Sequence, residues 1–274
     1  MIRRVLKKIK SLFQNGDVNP FHDYPFGREP LADKKTYLAI WEKAKKQSYP
    51  VVDRFEKETG LALDFLWLHE LALHTQVVIK ESEICYQHGR LLYAALSAYL
   101  NKNNYDSVNI LETGTARGFS TLCMARALKD QEKNGKIVTL DPLPHNVEMY
   151  WNCIDDLETE KTRSQLLSNY SDLINRYICF MEGKSEEVLD KLEVSRIHFA
   201  FLDGSHNHED VKFEISYVSF RQKKGDIIFF DDFQESYFPG IVKAVQELES
   251  EGSYMVKTIS VNDQRGYAIA EKTQ

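Results

Sequence analysis

Cysteine is scarce in this 274-residue chain, and the few present do not pair. Cys85, Cys123, Cys153 and Cys179 lie far apart with no Cys-x-x-Cys spacing. That argues against a structural zinc site or a disulfide framework and is expected of reduced, mostly buried thiols in a cytosolic protein. Long apolar runs are missing too. Asp64, His69, Glu70 and His74 interrupt the most hydrophobic stretch, so no segment reaches transmembrane length. The N-terminus lacks the uninterrupted apolar core and small-residue cleavage site of a secretory signal. Basic charge is not in excess either: a net charge of −6 makes nucleic acid an unexpected partner, because phosphate-backbone affinity needs clustered Lys and Arg. What these absences leave is an expected cytoplasmic, globular protein whose apolar fraction of 43% suffices to bury a core.

Residues 2–13 read IRRVLKKIKSLF, with Ile2, Val5, Leu6, Ile9, Leu12 and Phe13 at helical spacing and five basic residues between them. Two readings of this basic amphipathic helix stay open. It docks on its own domain or a second subunit, or it lies on an anionic membrane surface as a peripheral contact. A homodimer is expected, since helical appendages often serve association. A Pro- and Gly-punctuated connector follows, and helical patterns then fill roughly residues 33–100. The expected division is a helical cap over 1–80 and a main domain over 81–274.

From Val108 the pattern changes to short β-rich runs alternating with amphipathic helices: VNILE, STLCMARALKD, KIVTLD, YICFMEG, IHFAFLD, GDIIFFDD. Such alternation describes βαβ units and a mostly parallel sheet. The last two strand candidates, YMVKTIS and GYAIAEK, are separated by a short NDQRG turn, which predicts an antiparallel hairpin at the sheet edge.

In open parallel sheets, ligands bind beyond the carboxyl ends of the strands. After the first strand comes Glu112-Thr113-Gly114-Thr115-Ala116-Arg117-Gly118-Phe119-Ser120, opening a helix. Gly114 and Gly118 permit a tight turn and close approach of backbone to a ligand. The spacing is Gly-x-x-x-Gly preceded by an acid, not the Gly-x-Gly-x-x-Gly of pyrophosphate binders. An acid beside the loop suits the ammonium group of S-adenosylmethionine (SAM) better than a diphosphate. Asp141 ends the second strand, where a carboxylate can accept hydrogen bonds from both ribose hydroxyls. Lys184 and Ser185 follow the third strand, in Glu182-Gly183-Lys184-Ser185, placed to flank an adenine. One glycine turn alone is usually only a turn; three such elements in order point to a cofactor site. The expected cofactor residues are therefore Glu112, Gly114, Thr115, Gly118, Ser120, Asp141, Lys184, Ser185 and Asp203.

Strand four ends in Phe201-Leu202-Asp203-Gly204-Ser205-His206 and strand five in Phe229-Phe230-Asp231-Asp232. Each aspartate alone would read as a turn or cap residue. Adjacent strands, however, bring Asp203, Asp231 and Asp232 to one side of the pocket, and three acids at short range repel unless a cation binds them. Hard oxygen ligands with no cysteine nearby favour Mg²⁺, with Mn²⁺ or Ca²⁺ as substitutes.

The motifs LETGTARGFS, TLDP, EGKSEE, LDGSHNHEDVKFE and FFDDF resemble the macrocin O-methyltransferase-like family, related to catechol-type O-methyltransferases and cephalosporin-hydroxylase-like proteins. The resemblance runs from about Ser82 to the C-terminus, and LDGSH with FFDD is its most specific part. It implies an α/β, Rossmann-like class I methyltransferase fold: a seven-stranded, mostly parallel sheet with a C-terminal antiparallel hairpin, plus the helical cap. It also implies methyl transfer from SAM to a hydroxyl, with Asp203 and His206 in the catalytic group and His206 as general base. An imidazole can take the proton of a metal-bound hydroxyl at neutral pH. His208 is the rival base, otherwise a surface histidine. The implied acceptor is a sugar, a polysaccharide or a glycosylated natural product, with Glu81, Glu83, Tyr86 and His88 of the cap region as candidate contacts. The alternatives are a catechol- or caffeoyl-type enzyme acting on a small molecule, a SAM-binding subunit without turnover, and a nicotinamide oxidoreductase. The intact acid and histidine set disfavours the second, and the glycine spacing and closing hairpin disfavour the third.

Overall fold

The computed structural model describes residues 29–274; the basic helix expected at 2–13 lies outside the described residues. Among the described residues no helix is long and apolar enough to cross a membrane. The chain forms two compact units. The smaller gathers residues 29–48, 64–86 and 143–169 and carries helices α1 (Lys34–Lys45) and α3 (Phe65–Thr75). Both helices start on an aspartate whose side chain accepts a backbone N–H of the first turn, Asp33 from Thr36 and Asp64 from Trp67. Within this unit, which also carries the short helix α6 (Arg163–Leu166), His74 Nδ1 lies 2.6 Å from the Asp155 carboxylate, which also meets Lys161 at 3.1 Å.

The larger unit takes residues 49–63, 87–142 and 170–274. Helix α2 (Pro50–Thr59), which the sequence pattern counts with the cap, groups here. It is tied to α4 (His88–Lys102) by Arg90, whose buried guanidinium meets Glu56 and Asp53. Removing either acid alone would leave a buried charge short of partners, so the cluster fixes the α2–α4 pairing. At Gly89 an added Cβ would meet the Phe119 ring at 2.7 Å, so only glycine lets α4 approach α5 (Phe119–Asp130) this closely.

The sheet has seven strands in the order β3-β2-β1-β4-β5-β7-β6. The parallel members are β1 (Ser107–Thr113), β2 (Asn134–Asp141), β3 (Ile178–Glu182), β4 (Phe199–Leu202) and β5 (Ile227–Phe230). Helices α7 (Ser171–Tyr177), α8 (Ser185–Val188), α9 (His208–Phe220) and α10 (Pro239–Ser250) connect them or lead to the hairpin. The central strands read as unbroken apolar runs, FAFL and IIFF, because both faces are covered. The hairpin β6 (Tyr254–Asn262) and β7 (Arg265–Lys272) is antiparallel, as the NDQRG turn predicts, and it is β7 that inserts beside β5. Strand order reverses between β1 and β4, and open parallel sheets bind their ligands beyond the carboxyl strand ends at such a reversal.

Candidate active site

The loop after β1 is built for close approach. Gly114 sits at φ +89°, and a Cβ there would lie 2.2 Å from the carbonyl oxygen of Asp203. The β1 and β4 loops thus cross backbone against backbone, and Asp203 N–H also donates to the Thr113 carbonyl at 3.0 Å. Gly118, at φ +86°, starts α5. Between the two glycines Ala116 adopts φ +44°, and its N–H donates to Asp141 Oδ2 at 2.6 Å. Asp141 is buried at the end of β2, and its own carbonyl accepts the Gly183 N–H at 3.0 Å. One residue therefore fastens the first loop to the third.

Several expected cofactor contacts turn out to support the loop from beneath. Glu112 is fully buried, and the hydroxyls of Ser120, Thr121 and Thr139 all donate to its carboxyl. Burial pushes its pKa up to about 7 against the pull of those donors. The acid expected to face an ammonium group instead holds the start of α5 on β1 and β2. Ser120 is spent on Glu112, and the Thr115 hydroxyl bonds that of Thr139. A second buried acid, Glu214 on α9, accepts from Thr113 at 3.0 Å and from Ser185, and burial pushes it up to about 7 as well. The other face of that carboxyl lies under Gly204, where a Cβ would come within 3.0 Å of Oε1. Lys184 is exposed, with its ammonium 3.9 Å from Glu186.

The chemistry side differs from expectation in its membership. The atoms that come together belong to Asp203, His206 and Asp232, one ligand atom from each lying within 4.8 Å of the others. Asp231 is not in that group. It is buried, and its Oδ1 accepts the N–H of Asp232, which takes a left-handed backbone at φ +51°, at 2.7 Å. Asp232 is the hub. His206 Nε2 lies 3.1 Å from its Oδ2, and Arg265 Nη1 donates to its Oδ1 at 2.7 Å. Burial works to raise the Asp232 pKa, but the hydrogen bond from His206 and the Arg265 charge outweigh it and hold the group below the usual carboxylate value. Burial, reinforced by Asp231 and Asp232, lifts Asp203 well above that value. Asp231 rises to about 7 through burial and its neighbour Asp232.

His206 is well exposed and stacks on Phe238 with ring centroids 4.5 Å apart. Its loop is tied to α9: Asn207 caps the helix by accepting the Asp210 N–H, and the Ser205 hydroxyl donates to Asp210. Gly240 backs it, since a Cβ there would lie 2.5 Å from the His206 carbonyl. His208 points elsewhere, its two ring nitrogens occupied by Glu209 and Glu247. The donor set of two carboxylates and one imidazole fits a divalent cation. The nitrogen donor shifts the preference from Mg²⁺ toward Mn²⁺ or another borderline ion.

Among the acceptor-side candidates, Glu83 pairs with Lys43 at the surface, and Glu81 is exposed. The Tyr86 hydroxyl is buried 2.8 Å from His69 Nδ1. In the larger unit, His88 packs edge-on against Phe119 and parallel to Phe201. Sequence reasoning missed Arg265. The available signal was topological: a strand antiparallel to β5 begins where β5 ends, so the first residue of β7 had to arrive beside Asp231 and Asp232.

Residues 111–233 match a family model described as a methyltransferase domain. No curated protein matches the chain. Among solved structures, the O-methyltransferase TomG from Streptomyces achromogenes, in complex with SAM, is 17% identical, with a TM-score of 0.54 over 82% of this chain and 97% of its own. An O-methyltransferase from Bacillus cereus in complex with SAH is 14% identical, with a TM-score of 0.51 over 87% of this chain and 99% of its own. At such identities the likeness speaks for the fold. Residues 111–233 are thus similar to a methyltransferase domain, and the chain has the seven-stranded α/β fold of class I methyltransferases.

Proposed function

We propose that this chain is a SAM-dependent O-methyltransferase in which His206 is the general base. The observation that carries the reading is the His206–Asp232 pair at the ends of β4 and β5, set against the glycine loop by the Gly114–Asp203 crossing. SAM would supply an electrophilic sulfonium methyl group. The Gly114–Gly118 loop and Asp141 are the groups we assign to bind it, with Lys184 and Ser185 after the third strand.

With Nε2 turned to Asp232, the imidazole presents Nδ1 to an acceptor hydroxyl. Asp232 fixes the ring's orientation and stabilises the imidazolium formed when the proton moves. Phe238 limits ring rotation and keeps water from one face. Holding hydroxyl and methyl in line supplies much of the acceleration, as expected of a displacement that needs little covalent help.

Asp203, His206 and Asp232 are the residues that would hold a divalent cation, which would lower the pKa of a coordinated hydroxyl. His206 then belongs to the cluster as ligand or as base, and the two roles exclude each other at one nitrogen. Turnover that vanishes in EDTA and returns with Mg²⁺ or Mn²⁺ supports the metal; full turnover in EDTA leaves the His206–Asp232 pair to act alone.

The acceptor we favour is a vicinal diol of a sugar or glycosylated natural product, following the LDGSH and FFDD resemblance to macrocin O-methyltransferase-like proteins. Screening sugar diols against catechols with methyl-labelled SAM decides between this and the catechol-type reading. A cytoplasmic homodimer, with peripheral membrane contact through residues 1–13, completes the proposal; flotation with anionic liposomes before and after deletion of that segment tests the membrane contact.

A further inference from the structure

We propose that Arg265 is a built-in cation of this site, which occupies one side of Asp232 and so sets how strongly the Asp203–His206–Asp232 cluster holds a metal ion. The inference rests on the functional reading above and concerns a residue of the hairpin. Its placement is constructed. Gly266 allows β7 to pass under the β5 loop, where a Cβ would lie 2.3 Å from the Phe233 carbonyl. Phe233 N–H donates to the Gly266 carbonyl at 2.9 Å, and Gln234 Nε2 donates to the Asp263 carbonyl at 2.9 Å. These contacts clamp both ends of the hairpin turn to the segment that follows Asp232.

The guanidinium that arrives this way is charged at every working pH. It donates to Oδ1 of Asp232 at 2.7 Å, while Oδ2 faces His206 at 3.1 Å. Both oxygens are thus engaged. A cation joining the cluster must share Asp232 with a fixed positive charge a few ångströms away, and like charges at that range repel even through a well-screened medium. The acids that seemed to require a metal already have part of their compensation from within the chain. The expected consequence is a weak, exchangeable metal site.

The test is Mn²⁺ binding to the full-length chain, followed by loss of the free-ion EPR signal, for the natural protein, Arg265→Gln and Arg265→Lys. Arg265→Gln removes the charge and should bind Mn²⁺ about tenfold or more tightly than the natural protein, the scale of one unscreened neighbouring charge near a protein surface. Arg265→Lys keeps the charge but loses the guanidinium whose Nη1 reaches Asp232, and should fall between the two. If thermal melting shows that the glutamine variant does not fold, the lysine variant against the natural protein still reports the direction. Equal or weaker binding in both variants, or no Mn²⁺ binding by any of the three proteins, overturns the proposal. Calorimetry with S-adenosylhomocysteine on the natural protein is run separately. Failure there breaks the methyltransferase reading without touching the Mn²⁺ ranking, which needs no cofactor.

Discussion

The two halves of the crevice are held by different physics. Beyond β1, β2 and β3 the loops are fixed by uncharged donors: glycine turns, backbone hydrogen bonds and hydroxyl groups around Glu112 and Glu214, two buried acids that burial pushes up to about 7. Beyond β4, β5 and β7 the arrangement is ionic, with Asp232 kept charged by His206 and Arg265 in a strained backbone conformation. A surface that only has to keep its shape is best made of satisfied hydrogen bonds, which salt screens little. A surface proposed to move a proton needs charges, and it tolerates strain to place them.

The sharpest way to break this contrast is to change one residue on the ionic side. His206→Ala should lower the turnover rate by about 10²–10⁴-fold, the usual span for a lost general base, while calorimetry finds SAM affinity unchanged. A parallel loss of SAM affinity would mean the halves are not separable.

Gly114→Ala attacks the point where they meet. The new Cβ would fall 2.2 Å from the Asp203 carbonyl in a backbone conformation that alanine resists. Thermal denaturation should show a loss of roughly 2–4 kcal/mol, combining left-handed strain with overpacking, and both cofactor binding and turnover should suffer. A stable, active variant would show that the loops do not share that crossing.

On the neutral side, Asp141→Ala should cost about 2–4 kcal/mol of SAM affinity by calorimetry, through its lost hydrogen bonds to ribose. Asp141→Asn keeps an acceptor for the Ala116 N–H and should lose less. Equal losses would locate the effect in charge alone.

The smallest effect concerns pH. Glu214 titrates near 7 in the folded chain, above its ordinary value of 4.5. A carboxyl raised on folding contributes its stability below about pH 4.5 and loses it as pH climbs through 7. Glu214→Gln, which mimics the protonated form, should therefore melt close to the natural protein at pH 5 and above it at pH 8. The difference should be on the order of 1–3 kcal/mol. No change in the difference between those pH values would mean Glu214 is not protonated where it lies buried.

The sheet, its closing hairpin and the gathering of Asp203, His206 and Asp232 at one rim were legible in the chain itself. Apolar runs such as FAFL and IIFF mark strands covered on both faces, and in a parallel sheet the residues that end such strands must share one rim. Side-chain direction was not legible. Asp232, with its left-handed backbone, joins Asp203 and His206 while Asp231 does not, and whether Glu112 points at a ligand or beneath the loop depends on three hydroxyls from two other elements. Arg265 reaches Asp232 across 33 positions of sequence, through a strand pairing that carries no local signal. Periodicity and turn chemistry, being local, determined which elements form and which residues end them. The orientation of those last residues, and the partners that set their charge, waited on contacts that exist only when β5 and β7 lie side by side.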